Sequence, residues 1–370
     1  MMATGASSST GRSRSIWILT HRRVGDLNQL RALAALLGWP SVEKRVKFRW
    51  PRLAAIPALA VPLFDRRASA ELTPPWPDLV LCAESRTSTI ARLIKRWSGG
   101  KTRVVCVGRP AGGAGNFDLV ITSAQFRLPA AGNVVELPWP LRAPGGAVEG
   151  AALARMRVEL SVLPRPWTAV LVGGTSPPDT LDVDAAREMA RLLCAEAKRS
   201  GGSLLITTSA RTGAGVEDAI AAAIDVPAKV FLWSRPSGDN PYGVFLELAD
   251  QVVVTSDSAS MAVEAMAGGR PVGIFKLPQR WGWRHAAIEK LFASMASGRS
   301  GVVARVAAWA FDKGVIEVRP DRPALYRRLV ERGWLAYFPS RPSHAIGTTE
   351  MDRAERLAVK ATEALFRADS

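Results

Sequence analysis

Residues 252–276, VVVTSDSASMAVEAMAGGRPVGIFK, crowd Thr255, Ser256, Asp257, Ser258 and Ser260 into six positions, with Glu264 six residues beyond Ser258. Hydroxyls, free backbone amides and the positive end of a helix dipole in one place favour an oxyanion such as a phosphate. A carboxylate about one and a half turns further along that helix would repel a second anion and suits neutral hydroxyl donors instead. A plain capped helix with a solvated acid has the same pattern, so the unit becomes a site only in the company of others.

That company stands at the ends of other strand-like runs. VGGTS (172–176) offers Gly173 and Gly174, whose backbone can approach a phosphate closely, and the hydroxyl of Thr175. TTSART (207–212) supplies Thr207, Ser209 and Arg211, and SGDNPYG (237–243) supplies Asn240 and Tyr242. Four successive strand ends carrying such groups point to a nucleotide or sugar-phosphate site. Upstream, THRRVGDLNQ (20–29) places His21 and Asp26 where a general base for an acceptor hydroxyl could stand. An exposed loop histidine and a helix-capping aspartate are the alternatives. RWGWRHAAIEK (280–290) adds Arg280, Arg284 and His285, with tryptophans suited to stacking or to a surface anchor. The three histidines, His21, His285 and His344, lie far apart, and Cys82, Cys106 and Cys194 have no ligand spacing. No metal and no bound cofactor are expected; arginine and helix-start amides would neutralise a diphosphate.

The elements that must position these groups alternate along the chain. Apolar runs without alternation, such as DLVLCA (78–83), TAVLVGG (168–174) and SLLITTSA (203–210), read as strands buried on both faces of a parallel sheet. Helical runs at 27–38, 88–99, 183–201 and 215–224 separate strands at 15–20, 45–50, 102–108, 117–123, 133–138 and 229–234. SVLPRPW (161–167) reads as a hinge between two such series. The expected organisation is a flexible tail at 1–14, a first α/β domain at 15–162, a second α/β domain at 163–345 and a helix at 346–370. The helix carries Met351, Ala354, Leu357, Ala361 and Leu365 on one face, which needs a partner.

At 370 residues two domains are expected, and no stretch approaches the roughly 18–20 apolar residues of a membrane span. The Ser- and Arg-rich start resembles a transit peptide in composition, and a flexible tail is the preferred reading. The scattered cysteines suit a reducing compartment, so the chain is expected in the cytoplasm, with peripheral association at the inner face of the membrane. The net charge of +16 suits an anionic membrane surface or a phosphorylated ligand. The arginines are spread out and no nucleic-acid motif appears, so nucleic acid is not an expected partner.

The acid of SMAVEAMAGGRP, followed at a fixed interval by a proline with small residues between, resembles the donor-nucleotide helix of GT-B glycosyltransferases. That resemblance implies that Glu264 receives the ribose hydroxyls and that Ser258 and Ser260 lie near the diphosphate. A wider resemblance covers nearly the whole chain. Asn240-Pro241-Tyr242, then Thr255, Asp257, Ser258, Ser260 and Met261, are similar to the mitochondrial-fission (elongated mitochondria) family, as are GDLNQLRALAALLG with Gly25 and Gln29, and RTSTIARLIKRWSGGKT. The chain departs from that family at CVGRPAGG and TSAQF. The resemblance implies a GT-B-like α/β fold, two doubly wound Rossmann-like domains facing a cleft, the first on the acceptor side and the second the nucleotide-sugar donor domain, with the C-terminal helix crossing back to dock on the first. It further implies transfer of a sugar from a nucleotide sugar to a cell-envelope or lipid-linked acceptor, or a non-catalytic adaptor at a membrane surface. A short-chain epimerase is excluded, because ILTHRRVGDLNQ lacks a glycine fingerprint and no tyrosine has a lysine four residues on.

Overall fold

The computed structural model describes residues 14–21, 24–49, 71–142, 148–282 and 320–367, with isolated positions elsewhere. Its first half builds a six-stranded parallel sheet from β1 (Ile16–Thr20), β2 (Ser41–Arg45), β3 (Leu79–Ala83), β4 (Arg103–Val107), β5 (Leu119–Ser123) and β6 (Val134–Leu137). The strand order is β2-β1-β3-β4-β5-β6. Helices α1 (Val24–Leu37) and α2 (Glu84–Trp97) cover it. Every residue of β1, β3 and β5 is buried, as continuous apolar runs require in a sheet covered on both faces.

After α3 (Gly150–Leu160) the second half repeats the plan. Its strands are β7 (Trp167–Leu171), β8 (Ser203–Thr207), β9 (Ala228–Phe231), β10 (Gln251–Thr255), β11 (Val272–Phe275) and β12 (Ala336–Tyr337). Its helices are α4 (Val183–Ser200), α5 (Ala214–Ala223), α6 (Tyr242–Leu248), α7 (Ala259–Ala267) and α8 (Arg322–Glu331). The order β12-β11-β10-β7-β8-β9 reverses direction between β7 and β10. In open α/β sheets the carboxyl ends at such a reversal part to leave a crevice, the usual place for a ligand.

Local signals explain the helix limits. Asp182 caps α4 by accepting the Ala185 amide at 3.0 Å, and Gly201 ends it with φ of 67°. Asp321 caps α8 in the same manner, with a proline in the first turn. The expected strand at 45–50 is displaced to 41–45, and α3, α8 and the two-residue β12 stand where no element was expected.

Helix α9 (Thr348–Ala364) crosses between the two halves. Met351 and Ala354 join the second sheet's core, and Ala358 and Phe366 join the core of the first. The buried face is therefore Met351, Ala354, Ala358, Thr362 and Phe366; Leu357, expected on that face, is 44% exposed. The expected stripe is rotated because Ala358 and Thr362, four residues apart, point inward.

The carboxyl ends of the two sheets face each other. Gly25, just after β1, lies against Ser260, just after β10, with the Ser260 hydroxyl 3.7 Å from where a Gly25 Cβ would stand. The Asp321 amide donates to the Gln125 carbonyl at 2.7 Å, Arg127 approaches Asp321 at 3.6 Å, and Arg328 pairs with Glu136.

Candidate functional site

The candidate residues of the second unit assemble into two neighbouring groups, and His21 and Asp26 stand apart from them, just after β1 and in the first turn of α1. The first group fills the reversal between β7 and β10. The Gly173 amide donates to Thr255 Oγ1 at 2.8 Å, and Thr255 in turn donates to Asp257 Oδ1 at 2.7 Å. Asp257 Oδ2 accepts the Gly174 amide at 3.0 Å and pairs with Arg211 at 2.9 Å. Ser209 donates to the Gly173 carbonyl at 2.7 Å, and Thr212 donates to the same oxygen at 2.5 Å. Asp257 is 4% exposed; burial pushes its carboxyl upward, opposed by the Arg211 guanidinium, the Thr255 hydroxyl and the Gly174 amide. A Cβ at Gly173 would overlap the Asp257 carboxylate, and one at Gly174 the Arg211 carbonyl, so both glycines are required by close approach. Here the two amides expected to meet a phosphate are held by side chains of β10's end. Arg211 keeps 44% of its side chain exposed and so retains donors toward solvent. Thr175 closes its own turn, accepting the Leu181 amide at 3.1 Å.

The second group surrounds α7. Ser258 caps it, accepting the Met261 amide at 3.4 Å, and Met261 packs on the core. Ser260, in the first turn, faces Gly25 across the cleft. Glu264 accepts a hydrogen bond from the Tyr242 hydroxyl at 2.5 Å. Burial raises the Glu264 carboxyl above the usual range, and the Tyr242 donor opposes this; Tyr242 is itself pushed up by burial and by Glu264. Among the described residues Tyr242 is the one group hydrogen-bonded to that carboxylate. Asn240 accepts the Tyr242 amide at 3.0 Å and a 3.4 Å contact from Thr207, linking β8's end to this group. The Tyr242–Glu264 pair was not foreseen, because the two positions lie 22 residues apart on different helices.

His21 and Asp26 belong to the first unit. His21 directs Nδ1 at the Val46 carbonyl at 3.1 Å and packs edge-on against Phe48 at 5.5 Å. Asp26 lies in the first turn of α1, beside Gly25. Gly25 is helical rather than part of a turn with positive φ, so its smallness serves the approach of Ser260. Arg280 is exposed and pairs with Asp182 at 2.7 Å; Arg284 and His285 lie outside the described residues. No group of three potential metal ligands occurs among the described residues.

Three buried polar clusters escaped the reading of the sequence. Arg322 holds Asp179 through two nitrogens at 3.0 and 2.7 Å, and Gln279 and Ser256 contact the same carboxylate. Glu217, 1% exposed, accepts from Thr208 at 2.5 Å and from Ser234. Burial works to raise its pKa, but the Ser234 and Thr208 donors outweigh it and hold the carboxyl below the usual range. Cys82 and Cys106 are register partners on adjacent strands; burial first, then Cys82, raises the Cys106 thiol. The signal for the ion pair is spread over 143 residues, beyond any local motif.

Two doubly wound α/β units whose strand ends meet across a cleft, tied by a returning C-terminal helix, define the GT-B arrangement. A sequence model of the family described as mitochondrial fission ELM1 matches residues 24–307, and the chain belongs to that family. It is 26% identical over 282 residues to the mitochondrial fission protein ELM1 of Arabidopsis thaliana, an alignment covering 70% of this chain and 65% of that protein. The chain thus matches just under two thirds of its relative's length. Among solved structures it resembles a glycosyltransferase from Rickettsia africae, at 8% identity and a TM-score of 0.49, covering 96% of this chain and 100% of that one. It also resembles a UDP-GlcNAc 2-epimerase from Neisseria meningitidis bound to UDP-GlcNAc, at 12% identity and a TM-score of 0.46, covering 95% and 100%.

Proposed function

We propose that the cleft binds a nucleotide sugar and that the protein transfers its glycosyl group to a hydroxyl-bearing acceptor of the cell envelope or a lipid carrier. The observation that carries this reading is Glu264. It is a largely buried carboxylate on α7, held by one phenol, on the helix whose capped start faces the other unit. A carboxylate so placed cannot serve a phosphate, but it can accept hydrogen bonds from ribose hydroxyls while Ser258, Ser260 and the α7 amides face the diphosphate. Arg211, half-exposed beside them, supplies positive charge without a metal. On the facing side Asp26 and His21 are the candidate bases for the acceptor hydroxyl.

The test is a thermal-shift panel of nucleoside diphosphates and nucleotide sugars on the purified protein. A ligand at a hundred times its Kd stabilises by about 2.7 kcal/mol. At roughly 2–4 °C per kcal/mol for a unit of this size, that raises the melting temperature by several degrees. No shift with any nucleotide at millimolar concentration would sink the donor reading.

One observation favours a second reading, an adaptor that kept the fold without transfer. The amides of Gly173 and Gly174 are satisfied internally by Thr255 and Asp257, so this part of the cleft is complete without a ligand. An adaptor predicts no turnover of any nucleotide sugar even where a nucleotide binds.

A further inference from the structure

A cavity of about 480 Å³ opens at the carboxyl ends of β10 and β11, on the side of α8, apart from the Tyr242–Glu264 pair. Its walls include Ser256, Lys276, Gln279, Tyr326, Arg327 and Tyr337. Two features say what it can hold. The first is charge. The Lys276 ammonium stands 3.6 Å over the Tyr337 ring, and Arg327 is also close enough to Tyr337 to influence its hydroxyl. Both cations are exposed, and no ion pair engages either among the described residues. The acid in the wall, Asp179, is already neutralised by Arg322, which bonds it through two nitrogens. Glu331 acts on Tyr337 in the opposite sense to Arg327 and less strongly. The walls are therefore positive.

The second feature is an unmet donor. Tyr326 is 2% exposed, and its hydroxyl has no hydrogen-bond partner among the described residues. Burial keeps that phenol protonated, so it remains a donor. A buried hydroxyl without an acceptor is costly, and natural interiors rarely leave one so unless something else meets it.

We propose that this cavity binds the oxyanion of a small polar molecule, a sugar carboxylate or a phosphate, between Lys276 and Arg327 with the Tyr326 hydroxyl as neutral donor. Two fixed charges and a pre-placed donor match an oxyanion, whose several lone pairs accept from all three at once. The site lies beyond the nucleotide reading and does not depend on it.

The experiment is calorimetry at low salt with three probes: inorganic phosphate, D-glucuronate and D-glucose. Saturable binding of phosphate, of glucuronate or of both is expected, with none for glucose, and the anion that binds more tightly identifies the source. The exposed pair of substitutions Lys276→Gln and Arg327→Gln should lower that affinity at least tenfold. Tyr326→Phe should lower it about three- to tenfold, the loss of one hydrogen bond. Without ligand, Tyr326→Phe should melt no lower than the parent, because it removes an unmet donor and little volume. Ser260→Asp is the control: a carboxylate added at the start of α7 would repel an anion held there, and it should leave anion binding in this cavity intact. The proposal is overturned if neither anion binds saturably, or if binding survives unchanged in the charge variant or in Tyr326→Phe. Loss of binding in Ser260→Asp, which would assign the anion to the start of α7, also overturns it, as does a melting temperature for unliganded Tyr326→Phe several degrees below the parent.

Discussion

Glu264 can be tested on its own because its partner is a single phenol. A charged acceptor of ribose hydroxyls contributes roughly 1.5–3 kcal/mol, so Glu264→Ala should weaken nucleotide binding by about ten- to a hundredfold. Ser258→Ala should cost less, since the amides at the start of α7 remain. Calorimetry with the best nucleotide of the thermal-shift panel decides this, and an unchanged affinity in folded Glu264→Ala would leave Glu264 a packing residue. Its carboxyl also has a pH signature. A folded pKa raised above the ordinary 4.5 means the native state holds a proton that the unfolded chain has already released. Stability attributable to Glu264 is thus fully present below 4.5 and falls as pH rises through its raised folded value. Relative to Glu264→Gln, the parent should lose stability across that window, and parallel melting-versus-pH curves would contradict the assignment. Gly173 is the opposite kind of residue, one whose missing side chain matters. Gly173→Ala would drive a methyl into the Asp257 carboxylate and break the Thr255–Asp257–Arg211 chain. It should cost about 2–4 kcal/mol, as overpacking and a disrupted buried charge do; a melting temperature within a degree of the parent would show that the knot gives way easily.

At the scale of elements, what could be read beforehand follows from range. Buried parallel strands announce themselves as short β-branched runs, and β1, β3, β7, β8 and β10 are all legible in that way. Strands and helices without that signature were misplaced or missed. β2 is largely exposed and polar, α8 carries several arginines, and β12 is two residues long. The grouping of Thr255, Asp257, Ser258, Ser260 and Glu264 was legible because one strand, turn and helix hold them all. Their partners were not, because the Gly173 amide meets Thr255 across 82 residues and only the reversal of strand order brings them together. Helix α9 shows both limits at once. Its amphipathic period is plain, but its inward face is set by Ala358 and Thr362, two small residues a hydropathy pattern undervalues. Because it joins the core of each sheet, deleting residues 348–370 should lower the melting temperature clearly while leaving both sheets folded. The loss of Met351 and Phe366 burial dominates, each about 1.5–3 kcal/mol. A truncated chain with an unchanged melting curve would contradict the bracing role.

For the whole molecule the leading quantity is charge. The chain carries 49 Lys and Arg against 33 Asp and Glu, a net +16, and many of the acids are taken up in internal pairs such as Asp118 with Lys95 and Glu355 with Arg142. No helix of the described residues is long and apolar enough to cross a membrane. The first sheet's amino-end side offers a surface for lipid contact. Trp97 is 44% exposed there beside Arg96 and Lys101, and its ring lies tilted against Trp76, centroids 6.2 Å apart. Interfacial tryptophans with flanking cations suit a headgroup layer. Because Trp76 precedes β3 and Arg96, Trp97 and Lys101 precede β4, contact on that side would leave the cleft between the sheets turned away from the lipid. Each cation near an anionic bilayer contributes about 1 kcal/mol, and the attraction decays within a Debye length, about 8 Å at physiological salt. Binding should therefore be strong to vesicles containing phosphatidylserine or phosphatidylglycerol at low salt and lost near 150 mM or above. Trp97→Ala with Arg96→Gln and Lys101→Gln should shift the release to lower salt, because it removes two charges and the aromatic anchor. Co-sedimentation across a salt series measures both effects. Equal sedimentation with neutral phosphatidylcholine vesicles would reject an electrostatic origin, and an unchanged release point in the triple variant would move the contact to another face.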